Sequence, residues 1–189
     1  MDLRVSSLRI SISFFFIATV ALAILAGLYT EITAALLALG IHEYAHIFVG
    51  RKLGLAIYEI EILPFGGRIK SSLDEASVEE EMLTALAGPL ANFAAVGFIF
   101  FLSTKEFIPP EIARQFTQYQ LMLGIFNMLP ALPLDGGRIF ALWLRQRIGF
   151  ASSVRIASKT GKILAYSMLL FALMGLIFKR VFISLFIAS

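Results

Sequence analysis

Apolar segments long enough to cross a lipid bilayer recur along this chain, and they restrict its fold more than any other feature. A helix that spans the hydrocarbon core needs about 20 residues, with roughly 17–25 tolerated. Five segments meet this requirement, at about 10–28, 32–49, 82–103, 115–132 and 162–178. The nine residues VFISLFIAS that follow Arg180 are too short to span as a helix, so they either belong to a truncated sixth span or lie at the membrane interface. The sequence therefore predicts an all-α polytopic membrane protein with about six transmembrane helices, the last one short or truncated.

The composition agrees with a membrane protein and excludes several other classes. Hydrophobic residues make up 59% of the chain and charged residues only 15%, against about 25% charged in an average soluble domain. The net charge of +3 is too small to indicate nucleic-acid binding. The chain has no cysteine, which excludes disulfides and thiolate ligands. Any bound metal must therefore be held by histidine and carboxylate groups.

The positions of the basic residues predict an orientation in the membrane. If the N-terminus is cytoplasmic and each segment crosses once, twelve basic residues fall on the inside and four on the outside. In this layout the second and fourth spans run in the same direction, so their cytoplasmic halves can meet. The sequence shows no internal repeat and no soluble domain, and it predicts a single transmembrane domain over 1–189.

Between the second and third apolar segments, a short stretch has the pattern of a β-hairpin. Residues 57–62 alternate with a period of two, which is typical of a strand rather than a helix. Gly66-Gly67 follows Pro64 and predicts a turn, with 68–70 as the return strand. A hairpin at membrane depth must be covered by protein or line a wet cavity, because lipid cannot satisfy its backbone.

The two histidines of the chain, His42 and His46, interrupt the second apolar segment together with Glu43. Residues four apart lie on one face of a helix, so both imidazoles can point at one centre. This is the H-E-x-x-H pattern of two zinc ligands and a glutamate general base. Ionisable groups at membrane depth cost about 2.5–3.5 kcal/mol each, which favours function over coincidence. The pattern predicts a metal site.

A third zinc ligand is required, because hydrolytic zinc sites combine three protein ligands with one exchangeable water. No histidine remains, so the ligand must be a carboxylate, and Asp135 in the stretch 127–139 is the intramembrane candidate. Pro130 and Pro133 each remove a backbone donor and stop the helix. Gly136-Gly137 predicts a sharp turn and a close approach to another helix. A simple proline kink is the alternative, but it does not account for the carboxylate.

These motifs resemble those of a known family. His42-Glu43-x-x-His46, followed by the segment NMLPALPLDGG over 127–137, resembles the site-2 protease family of intramembrane zinc metalloproteases. The spacing is closest to the bacterial branch that includes the sporulation factor IVB protease. LPFGG at 63–67 and AGPLAN at 87–92 also have counterparts there. From the residues alone, AGPLAN serves either close helix packing or support of the site. The resemblance covers roughly residues 35–140, and the catalytic core is expected at about 32–140.

The resemblance implies a role for each matching residue. His42, His46 and Asp135 match the ligands of one Zn²⁺ ion per chain, and Glu43 matches the catalytic base. Asn127 matches a motif asparagine that contacts the substrate or the catalytic centre. The expected reaction is hydrolysis of a peptide bond in or near a transmembrane segment.

The resemblance also implies a substrate-binding element and a setting. Pro64, Phe65, Gly66 and Gly67 match a re-entrant hairpin that binds unwound substrate as an added strand. The expected substrate is a single-pass or hairpin membrane protein, for example a transcription-factor precursor or an anti-sigma factor. The expected location is a bacterial or archaeal cell membrane, with the active site towards the cytoplasm. Neither the CBS nor the PDZ domain of some relatives is found in the sequence, and the oligomeric state stays open.

Two other classes compete with the protease. In a metal transporter His42, His46 and Asp135 would bind a passing ion, but transporters tend to show internal repeats and several polar sites at the midplane. A catalytically inactive scaffold would bind membrane helices without cleaving them. Glu43 argues against a scaffold, which needs no base.

Overall fold

The computed structural model describes residues 9–63, 66–71 and 76–188, and it divides into two compact units, Met1–Leu129 and Pro130–Ser189. Most of the described residues are helical. The elements in chain order are β1 (Arg9–Ile12), α1 (Phe14–Leu25), α2 (Tyr29–Lys52), β2 (Ile57–Leu63), β3 (Gly66–Ser71), α3 (Val78–Thr104), α4 (Pro110–Asn127), α5 (Asp135–Ile148) and α6 (Phe150–Ala188).

Helix α2 buries one narrow face built from small residues and histidines. The buried residues recur at every fourth position, which keeps them on a single ridge of the helix. They are Ala34, Ala38, His42, His46 and Gly50. This ridge packs against α3. Many apolar side chains on the other faces of α2 are exposed, as expected for a helix that meets lipid.

Helix α3 begins with a capping box and contains a proline. The Ser77 hydroxyl accepts from the Glu80 backbone N–H, and the Glu80 carboxylate accepts from the Ser77 N–H. These contacts satisfy two of the N–H groups that a helix start leaves open. Pro89 removes the hydrogen bond to the carbonyl four residues earlier and loosens the helix there.

Helix α4 packs closely on α3 through Gly124. A Cβ atom added at Gly124 would lie 2.9 Å from Phe93 Cε1 and 3.3 Å from Asn92 Cβ. The helix ends at Asn127, short of the predicted limit at 132, because the proline-containing stretch after it cannot continue the helix.

The three described strands form one sheet in the order β1-β2-β3. Strand β2 pairs with β3 antiparallel, and β1 pairs with β2 in parallel with Arg9 opposite Glu59. The prediction of a helical span from residue 10 is wrong at its start, because the alternation in RISI suits a strand edge and the helix begins only at Phe14. Residues 64–65, between β2 and β3, lie outside the described residues, so the membrane-associated hairpin stays a prediction.

Three of the described helices are long and apolar enough to cross a membrane: Tyr29–Lys52, Val78–Thr104 and Phe150–Leu176. Helix α1 is apolar but has only 12 residues. The predicted fifth span and the segment after Arg180 both belong to α6, so the segment after Arg180 is not a separate helix. A pair of basic residues marks a change of environment but does not end a helix. The count of six spans stays a prediction.

In the second unit, two glycines enclose the loop that precedes α5. A Cβ atom at Gly137 would collide with the backbone of Ala131 and Leu132, and one at Gly161 of α6 would lie 2.7 Å from the Leu132 carbonyl oxygen. Gly136-Gly137 does not form the predicted turn: both residues are helical, and the turn lies before them. The close approach that Gly137 permits is to the preceding loop of its own unit.

Candidate metal centre

His42 and His46 form a buried pair on α2. Their side chains are 3% and 5% exposed, and their Nε2 atoms lie 3.1 Å apart. The two rings meet edge to face with centroids 4.7 Å apart. The predicted convergence of the two imidazoles on one point is present, because the i, i+4 spacing places them one helical turn apart.

The hydrogen bonds behind the rings define which nitrogen of each histidine is available. His46 Nδ1 lies 2.7 Å from the Thr84 carbonyl oxygen, and a carbonyl only accepts, so Nδ1 carries the proton. His42 Nδ1 lies 2.7 Å from Asn92 Oδ1 and donates in the same way. With Nδ1 as the donor, Nε2 is the nitrogen of each ring that can bind a cation, and the two Nε2 atoms face each other as two ligands of one cation would.

The orientation of the Asn92 amide follows from its other partners. Asn92 Nδ2 donates to the Ala38 carbonyl oxygen at 3.1 Å and to Gln120 Oε1. Because a backbone carbonyl cannot donate, the nitrogen must face Ala38 and the oxygen must face His42. Both Asn92 and Gln120 are fully buried. This network assigns the tautomer of His42 from behind the ring.

Gly88 of α3 leaves space in front of the two nitrogens. A Cβ atom at this position would lie 2.8 Å from His42 Nε2 and closer still to His46 Nε2. Any side chain larger than hydrogen would therefore occupy the point at which the two lone pairs converge. Pro89 follows directly and is buried as well.

These distances fit a zinc ion. Zinc binds imidazole nitrogen at about 2.0–2.1 Å, and two such ligands at a tetrahedral angle lie about 3.3 Å apart. The observed separation of 3.1 Å is close to this value. The hydrogen bond from each Nδ1 is the support that zinc-binding histidines usually have. The pair is thus suited to hold a divalent metal with open positions for further ligands.

The structure places the remaining predicted catalytic residues on the same unit. Glu43 follows His42 on α2 and is partly exposed. Asn127 is the last residue of α4, and its buried side chain donates from Nδ2 to the Leu123 carbonyl oxygen at 3.1 Å. The roles of both residues stay predictions.

Asp135 belongs to the second unit, where it is the first residue of α5. Its side chain is buried, with 7% of the residue exposed, and Arg138 Nη1 lies 4.0 Å from Oδ1. The helix N-terminus favours a carboxylate at this position. Of the predicted substrate-binding residues, Gly66 and Gly67 begin β3, whereas Pro64 and Phe65 lie outside the described residues.

An apolar cavity of about 930 Å³ lies within the first unit, between α1, α2 and α4. Its lining includes Val20, Leu36, Met122 and Phe126, and it reaches Ala38, one helical turn before His42. A hydrocarbon chain or an apolar peptide segment matches such a lining.

Sequence reasoning did not assign the residues that support the histidine pair. Thr84 contributes only its backbone, so no side-chain pattern could identify it. Gly88 and Asn92 belong to AGPLAN, a motif for which packing and site support were equally favoured, and the structure places both against the histidines. The sequence around Gln120 gives no indication of its contact with Asn92, except that an amide side chain lies within an apolar segment.

The two buried histidines, one helical turn apart, thus form a candidate metal centre on an apolar helix that is long enough to cross a bilayer. The sequence model of peptidase family M50 matches residues 30–117 and 110–174. The chain belongs to this family, whose members include the site-2 proteases. With its apolar helices, it is an integral membrane protein.

Individual relatives agree with this assignment. A zinc metalloprotease of Methanocaldococcus jannaschii is 37% identical over 152 residues, which are 78% of this chain and 44% of the relative. Stage IV sporulation protein FB of Bacillus subtilis is 29% identical over 141 residues, 74% of this chain and 49% of that protein. The solved site-2 protease from M. jannaschii has a TM-score of 0.72 and 28% identity, covering 93% of this chain and 85% of that one. The chain thus spans less than half the length of these two curated relatives.

Proposed function

We propose that this protein is an intramembrane zinc metalloprotease that hydrolyses a peptide bond in or near a transmembrane segment of another membrane protein. The observation that carries the proposal is the convergence of His42 Nε2 and His46 Nε2, 3.1 Å apart, with both Nδ1 protons donated elsewhere. This arrangement prepares two ligands for one metal and leaves open positions for water and substrate. Membership of a family that contains zinc metalloproteases supports zinc as that metal.

Asp135 is the proposed third ligand of one Zn²⁺ per chain. His42, His46 and Asp135 together offer two imidazole nitrogens and one carboxylate oxygen, a donor set found in hydrolytic zinc sites. Asp135 is buried at the start of α5, and a bound metal would add to the stabilisation that Arg138 and the helix N-terminus give its carboxylate. The enclosed loop before α5 restricts where this carboxylate can lie.

The residues of the chain would divide the chemistry as follows. A bound zinc ion supplies a Lewis acid and lowers the pKa of a water molecule towards about 7. Glu43 takes the proton of the attacking water and delivers it to the leaving amine nitrogen as the peptide bond breaks. Asn127 donates a hydrogen bond to the oxyanion that develops on the scissile carbonyl. The apolar helices around the site exclude bulk water, which strengthens each of these interactions.

The substrate is proposed to be a single-pass or hairpin membrane protein. A membrane-bound transcription-factor precursor and a membrane-bound anti-sigma factor are examples of such a substrate. A helical substrate hides its amide carbonyls in hydrogen bonds, so it must unwind before attack. Strand β3 lies at the edge of the sheet, where an unwound segment can add as a further strand. The apolar cavity beside α2 supports an apolar substrate. The proposed orientation places the N-terminus and the site on the cytoplasmic side of a bacterial or archaeal membrane.

The experiment that tests this function compares Glu43→Gln with wild type, using purified protein in lipid nanodiscs and a panel of single-pass membrane proteins. The variant removes the base and keeps the shape of the side chain, so we expect one zinc per chain to be retained and cleavage to fall by about 10²–10⁴-fold. Glu31→Gln on the same helix is the matched control and should cleave like wild type. Full turnover by Glu43→Gln would contradict the role of Glu43. Zinc uptake into liposomes without any cleavage would favour a transporter.

A further inference from the structure

Gln120 is a buried polar residue to which the proposed chemistry assigns no role. It is 0% exposed, in the middle of α4, and its Nε2 has no hydrogen-bond partner among the residues that the structure describes. A buried amide with an unpaired donor destabilises a fold, and a leucine or methionine would fill the same space without that cost. The position therefore calls for an explanation other than packing.

The partner of Gln120 connects it to the metal centre. Gln120 Oε1 accepts a hydrogen bond from Asn92 Nδ2, and Asn92 Oδ1 in turn accepts the Nδ1 proton of His42. The line of contacts runs from α4 through α3 to α2, and it ends on the ring nitrogen opposite the proposed ligand atom. Gln120 lies in the third position of this line, and its Oε1 contacts Asn92 rather than either histidine.

The two protons of Asn92 Nδ2 have separate acceptors. One is the Ala38 carbonyl, which is part of α2 itself, and the other is Gln120. If Gln120 lost its oxygen, one N–H of Asn92 would remain unpaired in a dry interior, and the Ala38 carbonyl alone would hold the amide in its orientation. Rotation of the amide would move Oδ1 away from His42 Nδ1 and release the ring. The Ala38 carbonyl opposes this rotation but cannot pair the second proton.

We infer that Gln120 is a positioning residue, which acts through Asn92 to hold His42 in the tautomer and orientation that bind the metal. The inference rests on the proposed function, since it requires His42 to be a metal ligand. In this role the Gln120 oxygen is required, because it accepts a hydrogen bond from Asn92. The Gln120 nitrogen has no role, and its lack of a hydrogen bond among the described residues is a cost of placing the oxygen there. Close contact between the two helices at Gly124, one turn further along α4, keeps the Gln120 oxygen within reach of Asn92.

Four variants of the full chain test this role through zinc affinity, measured by competition with a chelator of known strength. Gln120→Leu removes the acceptor, and Gln120→Met removes it while keeping the unbranched shape. Gln120→Glu keeps a carbonyl oxygen, because a carboxyl group buried in an apolar site is neutral and still accepts. Gln118→Leu is the matched control, since Gln118 is an exposed residue on the same helix.

We expect Gln120→Leu and Gln120→Met to weaken zinc binding by about 10-fold, which is the lower end of the loss usual for partners behind a metal ligand. Gln120→Glu and Gln118→Leu should stay within about threefold of wild type. Recovery of wild-type affinity in Gln120→Met would overturn the inference, because it would show that shape alone matters. Weak binding by Gln120→Glu, or unchanged binding by Gln120→Leu, would overturn it as well.

The design separates failure of the inference from failure of the proposed function. If wild type binds no zinc, the metalloprotease proposal fails and the inference fails with it. If wild type binds zinc and the four variants do not differ, only the role of Gln120 is wrong. Thermal unfolding of the zinc-free proteins identifies a variant that does not fold. Should Gln120→Leu be such a variant, the comparison of Gln120→Met with Gln120→Glu decides.

Discussion

His42 donates its Nδ1 proton to a side chain, Asn92 Oδ1, whereas His46 donates its own to a backbone carbonyl, that of Thr84, and both bonds are 2.7 Å long. The two supports differ in what they depend on. The Thr84 carbonyl is fixed by the course of α3 and is present whatever side chain Thr84 carries. The Asn92 oxygen is correct only while the amide faces the right way, which depends on Ala38 and Gln120. The orientation of His46 therefore depends on the backbone of α3, whereas the orientation of His42 depends on a network of side chains.

The largest expected effect acts on both histidines at once. In Gly88→Ala the added methyl group would occupy the point where the two Nε2 lone pairs converge, at 2.8 Å from His42 Nε2. We expect zinc content to fall below about one tenth of that of wild type, since no ion can approach within about 2.1 Å of both nitrogens. Metal analysis of the purified proteins measures this. Gly97→Ala is the matched control on α3, because a Cβ atom there meets nothing within 4 Å. Normal zinc content in Gly88→Ala would mean that the metal position differs from the one described.

A smaller effect should separate the two supports. Asn92→Ala removes the partner of His42 and should weaken zinc affinity by about 10–100-fold. Thr84→Val is the control: it removes the hydroxyl, which donates to the Glu80 carbonyl, but keeps the backbone oxygen that binds His46. Its zinc affinity should stay within about threefold of wild type. Chelator competition measures both variants. Equal losses of zinc affinity in Asn92→Ala and Thr84→Val would contradict the distinction between backbone and side-chain support.

The sequence predicts the parts of this centre that depend on a single helix. The spacing of His42, Glu43 and His46 is enough to place two imidazoles on one face, because the α-helix repeats every 3.6 residues. That a helix stops near Pro130 and Pro133 was likewise predicted, since it depends on neighbouring residues, although α4 ends at Asn127 rather than at about 132. The ligand role of Asp135 rests on the donor set and on the family, and it remains a proposal.

What the sequence does not reveal depends on packing between helices. The support of His42 requires α2, α3 and α4 to meet at Asn92, and nothing local in the sequence indicates that meeting. Strand β1 was missed because four residues before a long apolar run resemble the start of the run itself. The end of α6 was misplaced because Lys179 and Arg180 were interpreted as the end of a span. In each case a tertiary contact or a continuous helix outweighed a local signal.

The central claim is that His42, His46 and Asp135 hold one catalytic zinc, and metal analysis of wild type beside Asp135→Ala tests it most directly. Asp135→Asn is the matched second variant, because it keeps the shape of the side chain while removing the charge. We predict about one zinc per chain in wild type and substantial loss in both variants, each of which remains folded by circular dichroism. A well-folded wild type that holds no zinc, or variants that retain it fully, would contradict the account.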